Sequence, residues 1–180
     1  MGETQSTIYW TVVVLFLFQR IGEMILSKRN DKILFAQGYQ IFFASDLPWL
    51  KLFHASWFVC QSLEHFYRPL AIPTYLWWLA MVLCCIGQVL RFLSQQSLKQ
   101  RWVISIMSHP LERRINDGIY RWLDHPNYLG VFLEIIFLPL MGGAIVTSLV
   151  FGLVNVFILK RRMGQEKEVL QPLQAGPGHG

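Results

Sequence analysis

Asn155, Arg162 and Glu166 are spaced i, i+7 and i+11 along one apolar stretch that ends in basic residues. At about 100° per helical residue, eleven residues return to within about 20° of the starting direction. If a helix there continues past the membrane, one of its faces carries an amide, a cation and an anion. Arg162 is suited to hold an anionic oxygen with its planar fork of donors, and Glu166 to hold a cationic group. The competing reading is an ordinary surface pair at i, i+4 between Arg162 and Glu166, worth a few tenths of a kcal/mol. Spacing leaves both open. A second constellation, His125-Pro126-Asn127-Tyr128, opens another apolar run. Proline suits the first helical position, where its missing N–H would have had no partner. The free N–H groups of a helix start can hold an anion. On these residues alone, plain helix initiation is the simpler account.

These residues need elements to position them, and the apolar pattern supplies the elements. Of 180 residues, 53% are hydrophobic and 15% charged, and the apolar residues cluster into long runs. A bilayer core about 30 Å thick takes roughly 20 helical residues to cross. Five runs stand out: Thr7 to Ser27, Trp49 to Tyr67, Thr74 to about Ser97, Pro126 to Leu140 and Ile145 to Leu159. The expected fold is therefore all-α, a polytopic membrane protein of about five transmembrane helices. Residues 33–48 suit an interfacial segment or loop. Met141-Gly142-Gly143-Ala144 makes a hairpin turn between the last two runs, since glycine adopts the backbone angles a tight connection requires.

Charge sets an expected orientation. With five spans and the N-terminus outside, the inner segments carry twelve Lys and Arg residues, Arg113, Arg114 and Arg121 among them, and the outer segments only Arg68. The net charge of +5 thus reflects membrane topology, and no nucleic-acid partner is expected. No cleavable leader is expected at the N-terminus, because no small-residue cleavage pattern follows the first run. The tail, residues 171–180, holds two prolines and three glycines and is expected to be disordered.

Other polar residues fall inside the runs, where they are costly and turn toward protein or a water-filled cavity. Arg20 and Glu23, at i, i+3, read equally as a buried ion pair or as a substrate contact. Glu134 requires a partner, and Arg91 is the candidate. His54, Gln61 and His65 share one stripe of the second run. Packing with internal hydrogen bonds fits them better than metal binding, because no acidic partner lies at ligand spacing; no metal is expected. Cys60, Cys84 and Cys85 read as small membrane-core residues.

Gly118-Ile119-Tyr120-Arg121, His125-Pro126-Asn127-Tyr128, the Gly-Gly hairpin and Arg162-Met163-Gly164-Gln165-Glu166 with Leu170 occur in that order. The ordered set resembles the isoprenylcysteine carboxyl methyltransferase family, over roughly residues 98–170. That family has G-x-Y-R-x-x-R-H-P-x-Y, a helical hairpin, and R-[IVM]-x-x-E-E-x-x-L. Gln19-Arg20-Ile21-Gly22-Glu23 and Ser27-Lys28-Arg29-Asn30 are similar to a short bacterial branch found with type III polyketide synthases, whose members O-methylate alkylpyrones. Asp124 departs from the family's usual Arg before His-Pro, and Lys167 from its usual second Glu.

The resemblance implies a membrane enzyme that uses S-adenosyl-L-methionine (SAM). It implies that Tyr120, His125, Pro126, Asn127, Tyr128 and Glu166 bind the cofactor in the C-terminal hairpin, and that Arg162 faces the methyl acceptor. Asn155, on the same helical face by its spacing, is the second expected acceptor contact. Residues 1–97 would form the three N-terminal helices and residues 98–170 the catalytic region. The expected acceptor is a lipophilic molecule, an alkylpyrone or prenylated compound, that arrives from the bilayer and presents a carboxylate or acidic enol. The long C-terminal segment of the eukaryotic prenylcysteine enzymes is not matched, so a prenylcysteine acceptor is not expected. The expected location is a bacterial inner membrane. Rival readings are a phospholipid-amine or thiol methyltransferase, and a non-catalytic membrane subunit or transporter.

Overall fold

Apolar runs separated by short turns fold, in this computed structural model, into α1 (Glu3–Ala36), α2 (Asp46–Tyr67), α3 (Thr74–Leu98), α4 (Pro126–Met141) and α5 (Ile145–Gln174). Single 3-10 turns occupy Lys99–Arg101 and Gly118–Arg121. The structure describes residues 2–110 and 115–174. Arg113, Arg114 and the tail residues 175–180 lie outside them, as does the side chain of Leu170. Among the described residues, α1, and α3 together with its 3-10 turn, are long and apolar enough to cross a bilayer; α4 is a shorter apolar helix. Large apolar side chains point outward from the bundle: Phe18 is 67% exposed, Phe92 58% and Phe157 64%. That outward face suits lipid, since no other described residue covers it.

The helical expectation holds with one addition. Residues 40–42 (β1) pair antiparallel with residues 106–108 (β2), with Ile41 opposite Met107. The segment between α1 and α2 was expected to be an interfacial segment or loop, without a strand. Its backbone polar groups need partners, and the polar 99–124 segment folds back to supply them.

α1 also runs further than its apolar stretch, through Lys28-Arg29-Asn30-Asp31-Lys32. This extension grips the chain after α3. Asn30 Nδ2 donates to the Trp102 carbonyl at 2.8 Å, the Ile104 N–H donates to Ser27 Oγ at 2.9 Å, and Ser105 Oγ donates to Asp31 at 2.6 Å. α5 likewise continues beyond Leu159, which the Asn155–Arg162–Glu166 face requires, and reaches Gln174.

α3 and α4 approach closely because two glycines face each other. A Cβ built on Gly130 would stand 2.6 Å from the Gly87 carbonyl oxygen and 2.7 Å from Arg91 Cγ. The missing side chain thus makes room for both a backbone and the Arg91 stem. Pro139 lies inside α4 and has no N–H to give the Ile135 carbonyl. Trp57 of α2 takes that carbonyl, its Nε1 donating at 3.2 Å. At the far end, the Glu64 carboxylate accepts from the N–H groups of Val146 and Thr147 at 2.8 and 2.7 Å. An anion at a helix start is favoured by the unpaired N–H groups and the helix dipole. The core among α1 to α4 includes Tyr9, Trp57, Trp77, Ile135, Leu138 and Met141, all fully buried.

Candidate functional site

α4 begins at Pro126, so Asn127 and Tyr128 lie in its first turn, directly after His125. There the Tyr128 hydroxyl donates to the Glu166 carboxylate of α5. Arg162, one turn earlier on α5, donates through Nε to the same hydroxyl oxygen at 3.3 Å. Its Nη2 donates to the Ile104 carbonyl at 2.6 Å. His125 stacks on the Tyr128 ring, with centroids 5.5 Å apart and planes 15° apart, and its Nδ1 lies 3.6 Å from Glu166 Oε2. Arg162 and Glu166 are therefore not a simple surface pair; the Tyr128 hydroxyl stands between them.

These groups face one cavity of about 940 Å³, within the general range of roughly 300–1,000 Å³ for small-molecule sites. Tyr120, His125, Asn127, Tyr128, Asn155, Arg162 and Glu166 all line it. Pro126 does not; it is fully buried behind the wall and sets where α4 starts. Asp124 and Lys167, the two departures from the family pattern, line the cavity as well. Burial pushes the Tyr120 hydroxyl up to about 12, so it remains a neutral donor at physiological pH.

Two amide atoms in this wall are buried without a hydrogen-bond partner, Asn127 Oδ1 and Asn155 Nδ2. Buried polar atoms are normally satisfied, so each marks a place for a ligand group or water. The polar lining here comprises two carboxylates, Asp124 and Glu166, the Arg162 guanidinium, the rings of Tyr120, His125 and Tyr128, and two open amide atoms. It fits a zwitterionic, partly aromatic cofactor such as SAM.

Arg20, Glu23 and Arg91 line the same cavity and, with Glu134 behind them, form a ring of charges. Arg20 bonds to Glu23 at 2.9 Å and to Glu134; Arg91 bonds to Glu23 and faces Glu134 Oε1 through Nε at 3.5 Å. Each carboxylate meets both guanidiniums, so the ring is neutral. Arg20 thus takes the ion-pair role and is the hydrogen-bonded partner of Glu134, while Arg91, the expected partner, stands second at 3.5 Å. The stripe on α2 is internally bonded: His54 to the Leu50 carbonyl at 2.9 Å, Gln61 to Tyr9, and His65 to the Gly142 carbonyl at 2.6 Å.

Two features had no signal in the sequence. Asp46, at the start of α2, accepts from Arg161 at 3.0 and 3.2 Å and from Gln165 at 2.6 Å. The Ile104 carbonyl that orients Arg162 is a backbone group, invisible in any residue pattern.

Residues 73–172 match the isoprenylcysteine carboxyl methyltransferase (ICMT) family. The chain belongs to this family. As an ICMT-family protein it is a membrane methyltransferase whose cofactor is SAM. It is also similar to an uncharacterized protein, YpbQ, of Bacillus subtilis (strain 168), at 29% identity over 164 residues, covering 91% of this chain and 96% of that one. No solved structure matches significantly. The ICMT match contains α3, α4 and α5, and with them every residue of the Tyr128 cluster. It leaves out α1 and α2, which carry Arg20, Glu23 and His54.

Proposed function

We propose that this ICMT-family protein transfers a methyl group from SAM to an anionic oxygen, a carboxylate or acidic enol, of a lipophilic acceptor drawn from the bilayer. The observation that carries the reading is the Tyr128 hydroxyl, which couples Glu166 and Arg162 over one cavity. A carboxylate placed beside aromatic rings suits the cationic part of SAM, and a guanidinium suits the acceptor's oxyanion. An amine acceptor would be a poor neighbour for Arg162.

In this reading Tyr120, His125, Asn127, Tyr128 and Glu166 hold the cofactor in the α4–α5 hairpin. Pro126 fixes the helix start, and Arg162, with Asn155 deeper on the same face, holds the acceptor. Bound SAM supplies an electrophilic methyl on a sulfonium. The protein's own contribution is alignment and exclusion of water. A carboxylate or acidic enol is already ionised at neutral pH, so Arg162 has only to orient it.

The same proposal places five spans in a bacterial inner membrane, with the N-terminus outside and the C-terminus cytoplasmic. Residues 1–97 form the N-terminal part and residues 98–170 the catalytic region. Within the family, the proposed acceptor is an alkylpyrone or a prenylated compound. A titration of the full chain in detergent with S-adenosylhomocysteine tests the cofactor site, and mass spectrometry after incubation with SAM and a membrane extract tests the acceptor. Saturable binding with a methyl ester or enol ether as product is expected. A methylated amine or thiol would overturn the oxygen acceptor.

A further inference from the structure

The cavity has a second polar pole that the Tyr128 cluster does not use. Arg20 and His54 both line it. Within the charge ring, the Glu134 side chain is 0% exposed, Arg91 3% and Glu23 7%, whereas Arg20 is 13% exposed. Arg20 is thus the most exposed member, and it lines the cavity. Its Nη1 bonds to Glu23 and its Nη2 to Glu134. A guanidinium has five N–H donors, so others remain.

His54 supplies the complementary group. Its Nδ1 lies 2.9 Å from the Leu50 carbonyl, which can only accept, so Nδ1 carries a proton. In the neutral ring, Nε2 is then an acceptor. Nδ1 is turned to its own helix, so Nε2 is the ring nitrogen that this bond leaves unused. A donor from Arg20 and an acceptor from His54 in the lining of one cavity match a hydroxyl, which accepts from the first and donates to the second.

The spacing sets what can bridge the poles. Tyr128 contacts Arg162, and Glu134 contacts Arg20; the two residues are six apart on α4, about 9 Å along its axis. The two oxygens of one carboxylate cannot span that offset, whereas oxygens on opposite sides of a ring can. We propose that Arg20 and His54 form a second recognition point that selects acceptors bearing a hydroxyl across a ring from the methylated oxygen. The inference rests on the oxygen-acceptor reading above and assigns a specificity role to α1 and α2, which lie outside the family match.

The test uses the full chain in detergent micelles with SAM and two probes, 3-geranyl-4-hydroxybenzoate and 3-geranylbenzoate, which differ by that hydroxyl alone. The wild type should favour the hydroxylated probe by at least about tenfold in kcat/KM, because a site built around a hydroxyl rejects the analogue that lacks it. His54→Leu should erase the preference and leave S-adenosylhomocysteine affinity unchanged. Arg20→Lys, which preserves the charge ring's neutrality, should reduce the preference. Equal use of both probes by the wild type, or a preference that survives His54→Leu, overturns the inference. A purely structural role would lower both rates together and leave their ratio intact. A wild type that binds S-adenosylhomocysteine but methylates neither probe overturns this inference; failure to bind S-adenosylhomocysteine overturns the proposed site.

Discussion

The Tyr128 hydroxyl donates to the Glu166 carboxylate and so joins the first turn of α4 to the C-terminal half of α5. Arg162 approaches the same oxygen from one turn earlier. The three groups form one unit, but the proposed roles separate them. Glu166→Gln should raise the dissociation constant for SAM, and Arg162→Leu should abolish turnover while SAM binding stays nearly intact. Each loss removes a charge-assisted contact worth about 1.5–3 kcal/mol. Arg162→Lys keeps the charge without the planar fork and should give intermediate activity. Binding titrations beside turnover assays decide the matter; full activity in Arg162→Leu would end the assignment.

His125 stacks on Tyr128 beside Glu166. His125→Ala and Tyr128→Phe should therefore both weaken S-adenosylhomocysteine binding in protein that still extracts and elutes as a folded species. If both variants bind like the parent, the cofactor lies elsewhere in the cavity.

The charge ring makes a prediction about stability. Glu134→Leu leaves Arg20 and Arg91 short of one carboxylate in a fully buried place, a loss of about 3–5 kcal/mol. Removing Arg91 as well, in Arg91→Leu with Glu134→Leu, restores neutrality. The double variant should be less destabilised than the sum of the single ones. Thermal unfolding in detergent measures all three, and strictly additive losses would contradict a coupled ring.

The Asp46 clamp carries a pH dependence. The Gln165 hydrogen bond, together with Arg161, holds the Asp46 carboxyl below its usual range. Because the folded value is depressed, the clamp's contribution is present above the unfolded value, about 3.9. It is lost as pH falls through the folded value. The thermal midpoints of the wild type and Asp46→Asn should thus differ at pH 6 and converge as the pH drops below 4. A difference that is constant with pH would show that Asp46 acts through something other than its charge.

The proposed topology is checked by tags at Gly2 and Gly180. They should report opposite sides of the membrane, with the C-terminal tag cytoplasmic. Both ends on one side would remove the five-span arrangement.

Helical, membrane-embedded character was legible in the chain because run length and the placement of Lys and Arg are one-dimensional properties that the bilayer reads directly. The Asn155–Arg162–Glu166 face was legible for a similar reason, since helical geometry follows from spacing once the helix continues, as α5 does to Gln174. The ordered motifs likewise pointed to the family that residues 73–172 match. Partner choice between helices was not legible. Arg20 and Glu134 are 114 positions apart, as are Asp46 and Arg161 to within one residue. Each meeting joins two helices distant in the chain, α1 with α4 and α2 with α5, and so depends on how the helices pack. The short β1–β2 ladder and the Ile104 carbonyl that orients Arg162 were hidden for the same reason. Backbone hydrogen bonds carry no side-chain signature, so only the packed structure decides which of them face each other.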